Sequence, residues 1–127
     1  MLRFQVLSRG ERAHVENLPG DNFPPNLPVD PSVVVLSDGR YRLYYMQPTR
    51  QASSGPDTSI LSAISSDGIN FKRETGVRLA GTGPDKNVFD PTVLITPTAT
   101  YLWSGPDGAH FAVSDDGLTF KDNGPWK

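Results

Sequence analysis

Asp30 and Asp90 are the residues best suited by type and setting to do chemistry. Each opens an Asp-Pro pair followed by a small hydroxyl residue and a valine, Asp30-Pro31-Ser32-Val33 and Asp90-Pro91-Thr92-Val93. Carboxylates brought to one place can hold a polar ligand or exchange protons with it. The plainer reading is that each Asp caps the turn entering a strand, while its Pro stiffens the first residue, where no ladder donor is needed. His14 and His110 have no partner at metal-ligand spacing, so no metal and no cofactor is expected. The chain has no cysteine, which excludes disulfides, thiolate nucleophiles and Cys-ligated zinc.

Both aspartates belong to a repeat. Laying Asp30 over Asp90 without a gap puts Leu36 on Thr96, Tyr41 on Tyr101 and Leu43 on Trp103, each Tyr falling 11 positions after its Asp. Self-similarity of this kind marks units that bury their faces against one another. A second repeated unit follows, Ile64-Ser65-Ser66-Asp67-Gly68-Ile69-Asn70-Phe71 against Val113-Ser114-Asp115-Asp116-Gly117-Leu118-Thr119-Phe120. It reads as a hairpin in which Asp accepts local backbone N–H groups, Gly takes a positive φ, and Phe returns to the buried face. The duplication predicts a similar cost, about 1–3 kcal/mol, for a β-branched residue at Gly68 or at Gly117. A worn third copy is read at the N-terminus, where Phe4-Gln5-Val6 precedes Gly10 as Phe111-Ala112-Val113 precedes Gly117. An unrelated hairpin there stays open.

Each full unit supplies four strand candidates, near 32–36, 40–46, 59–65 and 69–74, and again near 92–95, 99–104, 109–114 and 118–122. Four short strands per unit predict an all-β fold of β-propeller blades, each a four-stranded antiparallel sheet. The single domain over 1–127 then divides into a half-blade over 1–18, a blade over 29–75 and a blade over 90–124. The stretches between, rich in Gly, Pro, Asp and Asn, are read as connections that bring Asp30 and Asp90 to one face near the central axis. A ring needs at least about four blades. The partial propeller is therefore expected to be completed by homo-oligomerisation, a dimer first and a trimer second, or by a missing segment.

Composition agrees with many short elements: 12 Gly and 12 Pro in 127 residues, with 36% hydrophobic. The formal charge of −2 comes from intermixed signs, without the basic stripe that a nucleic-acid partner requires. The longest aliphatic run, Val33-Val34-Val35-Leu36, is far below the roughly 18 residues of a membrane span. No signal-peptide core is read between Met1 and Gly10, so no membrane association and a cytoplasmic location are expected.

The Asp-Pro-Ser-Val signature, followed by Asp38-Gly39-Arg40-Tyr41-Arg42-Leu43-Tyr44-Tyr45 and the Ser65–Phe71 turn, resembles the five-bladed propeller glycosidases of the arabinanase, β-xylosidase and invertase kind. The resemblance covers roughly residues 29–121. It implies that Asp30 and Asp90 match the family's axial carboxylates, one a base or nucleophile and another an acid-tuning Asp. Glycoside cleavage also needs a protonated carboxyl group across the scissile bond. The general-acid Glu of the family has no match among Glu11, Glu16 and Glu74, the last two being read on outermost strands. The Ser-x-Asp-Gly-x-x-Phe turn is similar to the sialidase Asp box with one spacer fewer, a peripheral structural feature.

Two function classes follow from these readings. One is a carbohydrate-associated propeller that resembles glycoside hydrolases, without a complete catalytic site in one chain. Its ligand would be a carbohydrate, with Asp30 and Asp90 as catalytic candidates and Tyr44 and Trp103 as sugar-stacking candidates. The other is a non-catalytic structural or protein-interaction module. Tyr44 and Trp103 also read as blade packing, and Arg40 and Arg42 as solvent-facing strand residues.

Overall fold

A computed structural model describes residues 13–16, 18, 29–52, 55–81, 87–105 and 110–125. The strands are β1 (His14–Glu16), β2 (Val29–Val35), β3 (Tyr41–Ala52), β4 (Gly55–Ser65), β5 (Asn70–Arg73), β6 (Leu79–Ala80), β7 (Phe89–Ile95), β8 (Thr100–Gly105), β9 (His110–Ser114) and β10 (Lys121–Pro125). No helix occurs among the described residues. The first sheet has the order β1-β5-β4-β3-β2, with β6 also pairing β4, and the second has the order β10-β9-β8-β7. Each contains the expected four-stranded antiparallel meander. The worn N-terminal repeat over Phe4 to Gly10 falls outside the described residues, which begin at Ala13, and β1 lies parallel to β5 at the outer edge of the first sheet.

The two sheets stack through their innermost strands, β2 against β7. Tyr44, Ile60 and Leu79 of the first sheet meet Leu102 and Ala112 of the second in one buried cluster, with Val88 from the connection and with Val34, Val93 and Phe120 packed around it. Tyr44 meets Phe120 edge to face at 6.0 Å. A second cluster, Leu43, Tyr45, Leu61, Ala63 and Phe71, occupies the opposite face of the first sheet. Alternation along β3 is what gives the first sheet two apolar faces, one for each neighbour a propeller blade must have.

The ungapped alignment of the repeats fails inside the first hairpin. Val33 pairs Leu43 in the first sheet, whereas Val93 pairs Leu102 in the second. Leu102 therefore stands where Leu43 does, Tyr101 where Arg42 does, and Trp103 where Tyr44 does. The cause is the turn, which spans 36–40 in the first sheet and only 96–99 in the second. A one-residue difference in the turn exchanges the faces of every residue that follows it.

The Asp-Gly turns form as expected. The Asp67 carboxylate accepts N–H groups from Ile69 and Asn70 at 2.8 Å, and that of Asp116 accepts from Leu118 and Thr119 at 2.8 Å. Ser65 and Ser114 hydroxyls each accept the glycine N–H at 2.9 Å, and Gly68 and Gly117 have φ of 75° and 71°. The Asn70 side chain and these local donors hold the Asp67 carboxyl well below the usual carboxylate range. The N–H groups of Thr119 and Leu118 hold Asp116 at about 2.

Both shifts are depressions, so the stabilisation is complete above the unfolded value near pH 4 and is lost as pH falls through the folded values. The parent melting temperature is expected to decline between about pH 4 and pH 2. An Asp67→Asn, Asp116→Asn double variant should show a flatter profile over that interval in a pH series of thermal melts. Parallel profiles would remove the turns from the acid response.

Candidate functional site

Asp30 and Asp90 occupy matching positions near the starts of adjoining inner strands, and both have left-handed backbone angles, φ of 55° and 49°. They are the only non-glycine residues with positive φ among those described. Each sits in a β-bulge: pairing shifts by one residue between Val29 and Ser32 opposite Met46 and Tyr44, and between Phe89 and Thr92 opposite Gly105 and Trp103. Left-handed backbone costs a non-glycine residue about 1 kcal/mol or more. The following Pro adds to this, because it drives the preceding residue toward extended conformations. Bulges re-aim side chains and concentrate beside functional sites.

The hydrogen bonds among the described residues lend no support to the capping interpretation of these aspartates. Neither carboxylate has a partner among the described residues, in contrast to Asp67 and Asp116, whose oxygens are occupied by their own turns. Asp30 is half-buried and Asp90 exposed. Two carboxylates on strained backbone, without an acceptor partner among the described residues, thus stand near the starts of neighbouring strands.

The backbone entering Asp90 is held from both sides. The Thr58 hydroxyl, on β4, accepts the Val88 N–H at 2.8 Å and donates to the Val88 carbonyl at 2.9 Å. The buried Ser104 hydroxyl donates to the Phe89 carbonyl at 2.6 Å, and the Val88 side chain is fully buried in the inter-sheet core. Between the strands themselves, the Ser32 hydroxyl accepts the Val93 N–H at 3.1 Å. Fixing a carboxylate before a ligand arrives removes the ordering cost from binding. Thr58, Ser104 and Ser32 were not legible as site supports, since a buried hydroxyl on a strand has no sequence signature apart from its polarity.

Tyr44 is not available for sugar stacking. It is fully buried, and its hydroxyl donates to the Gly117 carbonyl at 2.7 Å. Burial raises its phenol pKa. Trp103 stands at the matching position of the second sheet but on its outer face, half-buried in a row with Tyr101 and Phe111 at centroid distances of 5.4 to 6.0 Å.

Arg42 is not solvent-facing either. Its guanidinium is buried in a bidentate pair with Glu74, Nε to Oε2 at 2.9 Å and Nη2 to Oε1 at 3.0 Å, and Nη1 donates to the Asp116 carbonyl at 3.1 Å. Ser62 donates to the same Glu74 at 2.7 Å. Arg78, whose pKa is lowered by burial, donates to the carbonyls of Leu118 and Thr75. Glu74 and Arg78 enter this joint because the segment between β5 and β6 is pinned to β4 at both ends, Glu74 N–H to Ser62 and Arg78 N–H to Ile60. With both oxygens engaged, Glu74 joins the sheets and is not free as a proton donor. Glu16 lies on β1, at the edge of the sheet opposite the inner strand.

No protein-family model and no curated protein matches the chain. Several solved structures share its fold. A family 117 glycoside hydrolase from Zobellia galactanivorans matches with a TM-score of 0.66 at 18% identity, over 91% of this chain and 42% of the other. The GH32 β-fructofuranosidase of Bombyx mori matches with a TM-score of 0.66 at 17% identity, over 80% of this chain and 23% of the other. A structure from the GH130 family, described as containing hydrolases that target β-1,2 mannosidic linkages in Candida mannan, gives 0.66 at 18% identity over 97% and 44%. The chain thus has the blade fold of the propeller glycosidases and spans less than half the length of each of these proteins.

Proposed function

We propose that the two blades belong to a carbohydrate-binding propeller whose ligand meets Asp30 and Asp90 at the start of the inner strands. The observation that carries this reading is the duplicated strain. The same disfavoured backbone recurs at the same bulge in both sheets, under an aspartate whose carboxylate has no hydrogen-bond partner among the described residues. Strain kept without local compensation supports a function for the side chain. Carboxylates suit sugar hydroxyls, which donate hydrogen bonds, and the fold is shared with proteins that act on glycosides. The described residues supply no free inner-strand glutamate for acid catalysis, so binding without turnover is the expected behaviour of this chain alone.

The test is a titration with sucrose, β-1,2-mannobiose and arabinan oligosaccharides, followed by amide chemical shifts. At least one should shift the signals of 30–33 and 90–93. Asp30→Gly and Asp90→Gly should each abolish that response while melting at the parent temperature or above it, by up to about 1 kcal/mol, because glycine accepts the left-handed angle. Silence at both bulges with all three sugars would overturn the reading. So would glycine variants that melt several degrees lower, since the aspartates would then be structural.

A further inference from the structure

We propose that the part of the β3–β4 hairpin that runs beyond the sheet, residues 47–52 and 55–58, is a wall of the site at Asp30 and Asp90 and makes that site prefer oligosaccharide chains to single sugars, an inference that rests on the carbohydrate reading of the site. The two repeats show the extension by comparison. Val29 pairs Met46 and Phe89 pairs Gly105, so Met46 and Gly105 stand at one level, each facing the residue that precedes an aspartate. β8 ends there, at Gly105, whereas β3 continues to Ala52, and its ladder with β4 continues through Arg50–Asp57 and Gln51–Pro56 to Ala52–Gly55. At about 3.3 Å per residue the hairpin rises roughly 15–20 Å past the level of the two aspartates, farther than one sugar residue reaches.

The extension grows from the strands that hold the aspartates. β2 lies next to β3, and β3 and β4 both reach β7. Thr58, at the first rung opposite Pro48, bonds both the N–H and the carbonyl of Val88, just before Asp90. Gln47, Thr58 and Ser59 are buried at this base, so hairpin and carboxylate keep one fixed relation. The extension has no hydrophobic face of its own. From Gln47 to Thr58 the chain has no apolar side chain larger than proline, and a two-stranded ribbon with so little to bury is marginal in water, which supports a role in contact with a ligand. No strand pairs either edge of it among the described residues, since β2 pairs β3 only as far as Met46 and β6 pairs β4 only at Ser59 and Ile60. Along such an edge N–H and C=O groups alternate, and sugar hydroxyls, which both donate and accept, match that alternation. Pro48 and Pro56 interrupt the donors, which disfavours addition of a peptide strand.

The test is a titration of the parent with arabinan and β-1,2-mannan oligosaccharides of increasing length, and with arabinose and mannose, followed by amide chemical shifts. In the series that moves 30–33 and 90–93, the longer chains should also move the amides of Gln47, Arg50, Gln51 and Asp57, the monosaccharide should not, and affinity should rise about tenfold or more with chain length. A variant with residues 49–57 replaced by Asn-Gly joins Pro48 to Thr58 through a tight hairpin turn. It should bind the longest chain about tenfold more weakly than the parent does, no better than it binds the monosaccharide. If that variant does not melt cooperatively, the hairpin shifts of the parent decide alone. Movement of 30–33 and 90–93 with none along the hairpin, hairpin movement by the monosaccharide, or a length preference that survives the shortened hairpin overturns the wall and leaves the site standing. Silence at 30–33 and 90–93 with every sugar overturns the site, and the wall with it.

Discussion

Gly117→Ala is expected to destabilise the chain by about 3 kcal/mol, against about 1 kcal/mol for Gly68→Ala, although the two glycines occupy the same turn. The backbone cost is common to both, since φ is 71° at Gly117 and 75° at Gly68. Their surroundings differ. A methyl group on Gly68 would lie 3.6 Å from the Tyr41 ring, an ordinary contact. On Gly117 it would fall 2.6 Å from Arg42 Nη1 and 2.8 Å from the Tyr44 hydroxyl. Neither neighbour gives way cheaply, because the guanidinium is tied to Glu74 and the hydroxyl to the Gly117 carbonyl. The variant must part the sheets or leave buried polar groups unpaired, each of which costs about 1–3 kcal/mol. Urea melts of the two variants and the parent measure the difference, and equal losses would place Gly117 outside the joint.

That inequality shows how far the sequence is legible. Both turns were found from Ser-x-Asp-Gly-x-x-Phe, since a turn is a local device and its residues are contiguous. What receives the second turn is not local: Arg42, Tyr44 and Arg78 lie 40 to 74 positions before their partners in the chain and come to it only when the sheets stack. The eight strands of the two meanders were legible in approximate place for the same reason as the turns, whereas β6 falls in a stretch read as a connection. β3 and β4 nevertheless run on to Ala52 and Gly55 as a longer hairpin than the alternation indicated, and their ladder passes Pro48 with a register shift.

The face assignment failed for a specific reason. Tyr41-Arg42-Leu43 and Tyr101-Leu102-Trp103 align well without a gap, and the pattern does not reveal which hairpin is a residue shorter. Only the pairing of Val93 with Leu102 decides it. The offset moves Trp103 from the place of Leu43 to that of Tyr44 and creates the half-buried aromatic row on the outer face. Asp30 and Asp90 were legible as a pair because the Asp-Pro dipeptide is itself the bulge. Their left-handed angle was not, since Asp before Pro is ordinarily extended. The strain separates them from capping aspartates, and it exists only in the folded backbone.

The other large effect is expected at Arg42, where sequence reading put two arginines in one category. Arg40 and Asp38 form an exposed pair at 2.8 Å, with side chains 50% and 49% accessible, while the Arg42–Glu74 side chains are 9% and 15% accessible. An exposed pair exchanges hydration for a screened attraction, so Arg40→Ala should leave stability close to that of the parent. Removing one member of a shielded pair strands the other, so Arg42→Met and Glu74→Met should each cost about 3 kcal/mol. Arg42→Met also takes the donor from the Asp116 carbonyl, and Glu74→Met leaves Arg42 and Arg78 in one joint without their carboxylate. The double variant carries no stranded charge between these two positions, so its loss should fall short of the sum of the singles by about 1–3 kcal/mol. Urea melts of the four variants decide it. Single losses as small as that of Arg40→Ala, or strict additivity in the double variant, would show that solvent reaches the Arg42–Glu74 pair and that apolar contact alone holds the two blades together.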